Sequence, residues 1–380
     1  MNSVERIEAA LRHKMPDRVP VIAPLGLDFL KKRLGSRSLF DRIVQDPIAT
    51  LVRLQAELGL DPVIWSYSEF HGEVMDWPAS LFRWPVDALA NWQTEDELVA
   101  KGPGYRDIRH HIVTPKGRLS TRYRCQSSSK WILEHPLKEE KDLEAWAYRP
   151  DPLEMNMDPF VQMVSRIAQR ATCMHVISGV WNEACDLRGM QQICYDVFDR
   201  PEWVKRLLEM LKQRQLRQLN ALAKAAIPCV VIDETYVGMG ISAKIFREYI
   251  LPHDRELVLA AQKEGLLVVF HNCGKSMNLL EAMADTGANA LQTLTPASSG
   301  GDVDLAQAKA MIGDRLCLCG GFDERVLMDG NAEQVRTEAR RCLDAASVDG
   351  GFILRTAGQV LDAPRENFAA LVDEASVYGV

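Results

Sequence analysis

Residues 266–276 read LLVVFHNCGKS: an apolar run stops at a histidine, and a cysteine follows two positions later. An imidazole nitrogen and a thiolate sulfur are both zinc donors, so His271 and Cys273 at one strand end could share an ion. An H-x-C pair alone is a weaker signal than paired C-x-x-C motifs, and the same residues would also serve simply to finish a strand. Comparable positions supply further candidate groups, with Gln292 and Arg355 among them as substrate contacts. Asp233 and Glu234 follow CVVI, Gln292 lies in NALQTL, Cys319 in RLCLCG, and Arg355 closes GFILR. Glu234 is a candidate third ligand or a partner that orients a ligand, with a helix cap or an ion pair near Ser242 as the alternative. Cys317 and Cys319 alternate with period two and therefore face the same way, so one belongs to the core while Cys319 is also a candidate ligand. A charge at the end of an apolar strand is costly unless it is met, so Arg355 calls for an acidic neighbour or an anionic substrate. Trp65, Tyr67 and His71, from WSYSEFHGEVMDW, and Trp181 and Asn182, followed by Glu183, are candidate substrate contacts. Loop packing under the insertion is the favoured alternative for the aromatic stretch.

These residues need a scaffold that brings them to one place. Eight short apolar runs provide it: VPVIAP (19–24), DPVIW (61–65), CMHVIS (173–178), CVVID (229–233), LLVVFH (266–271), NALQTL (289–294), RLCLCG (315–320) and GFILR (351–355). Continuous rather than alternating apolar runs suit strands covered on both faces, and parallel strands need helical crossovers. Helix-patterned stretches do lie between them, among them PEWVKRLLEMLKQRQLRQLNALAKAA and SAKIFREYILPHDRELVLAAQKEG, the latter opening at Ser242 as N-cap. The pattern predicts a single (β/α)8 TIM-barrel domain over 1–380, with catalytic groups at the C-terminal ends of the strands. One connection, between the second and third strands, is far longer than usual. It predicts an insertion at about 70–150, in which RDIRHHIVTPKGRLSTRYRC forms a β-hairpin turning at Pro115, Lys116 and Gly117.

Composition narrows the class of partner. With 47% hydrophobic and 26% charged residues and a formal charge of −7, the chain reads as an ordinary globular protein without a basic surface for nucleic acid. The opening MNSVERIEAALRHKMPDR is charged and helix-patterned, and no stretch is long and apolar enough to span a bilayer, so a cytoplasmic location is expected. Nine cysteines, several in apolar runs, fit reduced packing residues better than a disulfide framework. No Walker-type phosphate loop appears, GMG at 238–240 is too short for a dinucleotide fingerprint, and there is no G-x-S-x-G elbow.

ERIEAALRHKMPDRVPV, ISAKIFREYILPHDREL, FHNCG, DLAQAKAMIGDRLCLCGGFD and GFILRTAGQVLDAPRENFAALVDEA together resemble the uroporphyrinogen decarboxylase superfamily. The resemblance implies the same (β/α)8 barrel. True decarboxylases carry an RQAGR stretch after the first strand, where this chain reads APLGLDFLKKR, so porphyrinogen decarboxylation is disfavoured. The other branch contains cobalamin-dependent methyltransferases. In its thiol-acting members an H-x-C pair and a later cysteine hold zinc; His271 and Cys273 match the pair, and Ala357 stands where the later cysteine would fall. In its O-demethylase type two glutamates and a histidine are the ligands, to which Glu234, Glu248 and His271 are similar in position. HIVTPKGRL and SSSKWILEHPLK also resemble that type.

The resemblance therefore implies a methyltransferase that takes a methyl group from a small methoxylated, in one version aromatic, substrate. Zinc is its Lewis acid, with ligands drawn from His271, Cys273, Glu234 and Glu248, to which the strand-end reading adds Cys319, and with His271 and Glu234 as catalytic residues. Because the chain lacks a D-x-H-x-x-G motif, the cobalamin would arrive on a separate corrinoid protein. Alternatives are a metal-free decarboxylase or lyase, a methylcobalamin:thiol methyltransferase and a non-enzymatic scaffold; a homodimer is one option for the assembly.

Overall fold

The computed structural model describes residues 1–25, 29, 46–67, 84–126 and 130–378. Its strands are β1 (Val21–Ile22), β2 (Val63–Tyr67), β3 (Gln93–Gly102), β4 (Tyr105–Thr114), β5 (Gly117–Gln126) and β6 (Lys130–Glu134). They continue with β7 (Thr172–Ser178), β8 (Cys229–Asp233), β9 (Leu267–Asn272), β10 (Ala290–Thr293), β11 (Cys317–Phe322) and β12 (Phe352–Thr356). All eight apolar runs are strands of one sheet, in the order β1-β12-β11-β10-β9-β8-β7-β2. The strands from β8 to β12, and β12 with β1, pair in parallel, as helical crossovers dictate. The order follows the chain around a ring, which is the (β/α)8 TIM-barrel architecture.

Its seam lies between β1 and the start of β2. There the Asp61 backbone N–H donates to Val21 O (2.8 Å), and the Asp61 carboxylate accepts from the Val21 N–H (2.9 Å). The same fully buried carboxylate accepts from Arg6 Nη1 at 2.6 Å and pairs with Arg18 at 2.9 Å. A buried carboxylate is tolerable only when paired and hydrogen-bonded in this way.

Alternate residues of the strands fill the interior: Met174 of β7, Cys229 and Val231 of β8, Leu267 and Val269 of β9, Ala290 of β10, Cys317 and Cys319 of β11, and Ile353 of β12. Helix Ser3–Leu11 adds Ile7, Ala10 and Leu11 to the same cluster. Because side chains alternate along a strand, the next inward positions toward the C-terminal ends are Asp233, His271, Gln292 and Arg355. The expected catalytic end is thus populated by polar groups above an apolar core.

The chain divides into two compact units. The first comprises residues 1–66, 163–177 and 227–380 and holds the barrel core; the second comprises 67–162 and 178–226. In the second, β3, β4, β5 and β6 form an antiparallel sheet in that order. The predicted hairpin is β4–β5, closing with Thr114 opposite Gly117, and Thr114 Oγ1 accepts from the Lys116 N–H at 3.2 Å. Ile112, Leu119 and Cys125 lie buried, while β3 is exposed along most of its length. Helices Asp142–Trp146, Val180–Arg188, Met190–Asp199 and Pro201–Leu222 complete this unit. No helix among the described residues is long and apolar enough to cross a membrane.

Candidate functional site

The strand end at β9 is built by close backbone contacts. Glu234, just after β8, donates its N–H to His271 O (2.9 Å) and its carbonyl accepts from Asn272 Nδ2 (3.0 Å). The turn beyond it carries Gly238, where a Cβ would overlap the carbonyl of Cys273, and Gly238 O accepts from the Lys275 N–H at 3.0 Å. The GMG sequence is therefore a place of close chain approach. On the other side Thr293 Oγ1 donates to Asn272 O (3.1 Å), and Thr295 Oγ1 accepts from the Gly274 N–H (3.3 Å). The Cys273 loop is held from both neighbouring strand ends.

This framework puts Cys273 Sγ 3.1 Å from His271 Nε2. Burial works to lower the imidazole pKa, but the nearby Cys273 sulfur and Asp233 outweigh it, and the net direction is up. Burial works to raise the Cys273 thiol, yet the charge and hydrogen bond of His271 bring it below the ordinary value. Each partner favours the ionised form of the other. Asp233 opposes the thiolate and Arg355 supports it, so both belong to the same electrostatic neighbourhood. Asp233 itself accepts from the Thr235 N–H (3.0 Å) and hydroxyl (2.6 Å).

Gln292 is the register neighbour of His271 on one side and of Cys319 on the other. Its amide takes the orientation in which the oxygen accepts from Arg355 Nε (2.6 Å) and Nη2 (3.1 Å), because a guanidinium can only donate. Arg355 also donates through Nη1 to Thr356 O (2.7 Å) and lies 6.0 Å from the Trp65 ring centroid. The Gln292 amide oxygen and the Thr356 carbonyl thus both accept from the strand-end cation.

The expected five-residue ligand set does not converge. Among the described residues no three His, Cys, Asp or Glu side chains are grouped so as to hold a metal. Glu248 is exposed on the helical turn Phe246–Ile250. Cys319 packs in the barrel core with Cys317, where burial pushes its thiol up to about 12 and so disfavours the thiolate a metal needs. Glu234 is fully buried and meets β9 through its backbone. The donors the structure does bring together are His271 and Cys273. Their 3.1 Å separation is near the roughly 3.5 Å kept by a nitrogen and a sulfur on one tetrahedral zinc, so the pair fits two of four positions.

The remaining expected contacts fall on β2 and in the second unit. Trp65 and Tyr67 are partly buried residues of β2. In the second unit Trp181 is fully buried on helix Val180–Arg188, and Asn182 Nδ2 donates to Ser178 Oγ at 3.1 Å. Glu183 is engaged by Arg149 (2.5 Å) and Gln215 (2.7 Å), a structural arrangement within that unit. His71 lies outside the described residues. Sequence reasoning missed Thr293 and Thr295, which nothing in NALQTLTP distinguishes from ordinary strand residues, and it dismissed Gly238 although a glycine just beyond a strand end signals close approach.

A uroporphyrinogen decarboxylase of Bordetella petrii is 31% identical over 190 residues, 48% of this chain and 50% of that protein. One from Cupriavidus necator is 28% identical over 268 residues, 63% of this chain and 69% of its own length. The chain spans about half the length of the first of these relatives. Among solved structures, a methyltransferase from Methanosarcina mazei matches with a TM-score of 0.66 at 17% identity, over 100% of this chain and 99% of that one. A B12-independent methionine synthase from Shewanella matches with a TM-score of 0.51 at 10% identity, over 94% and 97%. At such identities these structures share the fold. The family profile described as Uroporphyrinogen decarboxylase (URO-D) matches residues 110–378, and the chain belongs to that family.

Proposed function

We propose that this protein is a cytoplasmic methyltransferase of the O-demethylase type. It takes the methyl group of a small methoxylated substrate and passes it to the cobalt of a separate corrinoid protein, with zinc at His271 and Cys273. The observation that carries the reading is the 3.1 Å approach of His271 Nε2 to Cys273 Sγ at the C-terminal end of a barrel strand. When bound, zinc supplies Lewis acidity toward the ether oxygen, which keeps the electron pair as its bond to methyl breaks. The chain's own residues do the rest. His271 and Cys273 hold the metal, and Asn272 between them is anchored to the Glu234 carbonyl. Trp65, Gln292 and Arg355 bind and orient the substrate. Glu234 acts as a positioning residue through its two backbone bonds to β9.

The test pairs metal analysis with a methyl-transfer assay containing a corrinoid protein and its reducing system. Wild-type protein should carry one zinc per chain, and His271→Ala and Cys273→Ser should lose it along with roughly a hundredfold or more of the rate, since a Lewis acid contributes several kcal/mol. Protein without stoichiometric zinc, together with full activity of His271→Ala, would overturn the metal assignment.

A second reading is a metal-free decarboxylase, favoured by the name its relatives carry and by a buried arginine at the strand end. Arg355 would then hold the substrate carboxylate, and Asp233 would handle the proton. Carbon dioxide release from a carboxylic acid without any corrinoid protein would select it.

A further inference from the structure

We infer that Thr293 is a positioning residue of this site: its hydroxyl is the hydrogen-bond donor that remains to the Cys273 sulfur once His271 engages a metal. The inference rests on the metal-binding part of the proposed function and adds a residue that acts on the ion only through its ligand. Thr293 ends β10 and is 1% exposed, with Asn272 of β9 as its register partner. Its Oγ1 lies 2.9 Å from Thr295 Oγ1, 3.1 Å from Asn272 O and 3.9 Å from Cys273 Sγ. A hydroxyl has one proton, so these contacts have directions. Thr295 Oγ1 accepts from the Gly274 N–H at 3.3 Å, and among the described residues the acceptor for its own proton is Thr293 Oγ1. The Thr293 proton is then left for Asn272 O and Cys273 Sγ.

The donors run from the amide of Gly274, through two hydroxyls, back to the sulfur of the residue before it. Each bond polarises the next, so the last hydroxyl donates more strongly than an isolated one. The sulfur's other hydrogen-bond partner is His271 Nε2, at 3.1 Å. Nε2 serves the sulfur as a donor only while it carries a hydrogen, and a nitrogen that gives its lone pair to a metal carries none. His271 therefore gives up this donor role on becoming a ligand, and Thr293 is the donor still facing Cys273. A hydrogen bond to a ligating thiolate fixes its direction and draws charge from the sulfur, which leaves the metal a stronger Lewis acid. The backbone of Thr293 is set from the other side by Gly320 of β11, where a Cβ would overlap the Thr293 carbonyl.

Titration of the full chain with cobalt(II) tests this, because cobalt(II) takes the same nitrogen and sulfur donors as zinc and its thiolate charge-transfer band reports the charge on sulfur. Thr293→Val removes the hydroxyl at similar shape. It should bind cobalt(II) at least about tenfold more weakly, with the band moved to longer wavelength. Thr293→Ser keeps the hydroxyl and should match wild type in both. Thr295→Val removes the donor to Thr293 and should move the band the same way by less, which keeps the test open if Thr293→Val does not fold. An unmoved band in whichever of the two valine proteins folds, or a Thr293→Ser protein as impaired as Thr293→Val, would overturn the inference. Wild-type protein that binds no cobalt(II) would overturn it together with the metal assignment. A protein whose cobalt(II) site responds to Thr293 as expected, yet which transfers no methyl group to a corrinoid protein, would sink the proposed function and leave this inference standing.

Discussion

His271 and Cys273 show how little of a site a short motif contains. Their spacing on one strand end was legible in the sequence, and the structure brings the two donor atoms to 3.1 Å. The rest of the ligand set was not legible, because reach and burial decide it. Cys319 shares a register row with Gln292 but faces an apolar interior that keeps its thiol protonated. Replacing it with alanine should therefore leave zinc content unchanged and the rate within about twofold, at a stability cost of roughly 1 kcal/mol in urea unfolding. Loss of bound zinc in Cys319→Ala would restore it as a ligand. Arg355 was legible as a charge that must be met, whereas the amide that meets it lies on β10, with β11 intervening in the sheet.

At the scale of elements, each of the eight apolar runs became a strand, because a strand covered on both faces has to be apolar at consecutive positions. The Ser242 N-cap is present, with its hydroxyl accepting from the Ile245 N–H at 3.2 Å, but the helix it opens includes a π turn over Phe246–Ile250 ahead of Pro252. That local widening fits a proline that cannot donate into a regular ladder, and composition alone did not forecast it. The turn after β8 is a sharper case. Gly238 packs against the Cys273 carbonyl, so Gly238→Ala must push the loop away from β8. Urea unfolding should show a loss of about 2 kcal/mol from the forced overpacking. Zinc affinity should fall with it, whereas Gly265→Ala, strained by its φ of +81° but with a Cβ that would meet nothing, should cost stability without lowering zinc affinity. Unchanged zinc affinity in Gly238→Ala would remove its role in placing Cys273.

Over the whole molecule, the barrel depends on a seam that no run of apolar residues reveals. Asp61 joins β1 to β2 and carries two arginines, so Asp61→Asn leaves buried cations poorly matched and should cost about 3 kcal/mol or more in urea unfolding. A change below 1 kcal/mol would show that the seam is held by packing instead. Beside it, the hydrogen bond from Arg6, opposed by burial, holds the Asp17 carboxyl well below the usual carboxylate range. A carboxyl lowered in the folded state stabilises above its unfolded pKa, near 4, and the benefit drains away as pH falls toward the folded value. Asp17→Asn should therefore be less stable than wild type at pH 7 and approach it as the medium is acidified below pH ~4. A constant gap across that range would count against the pairing. The sequence by itself determined the repeat of apolar strands, the barrel class, the hairpin of β4 and β5, and the strand-end location of His271, Cys273, Gln292 and Arg355, since these follow from local patterning and chain order. Only the tertiary structure decided which side chains meet, which way the Gln292 amide points, and why Gly238 is a glycine. Those depend on register between strands far apart in the chain, and a period-two pattern assigns a face to each residue without assigning it a partner.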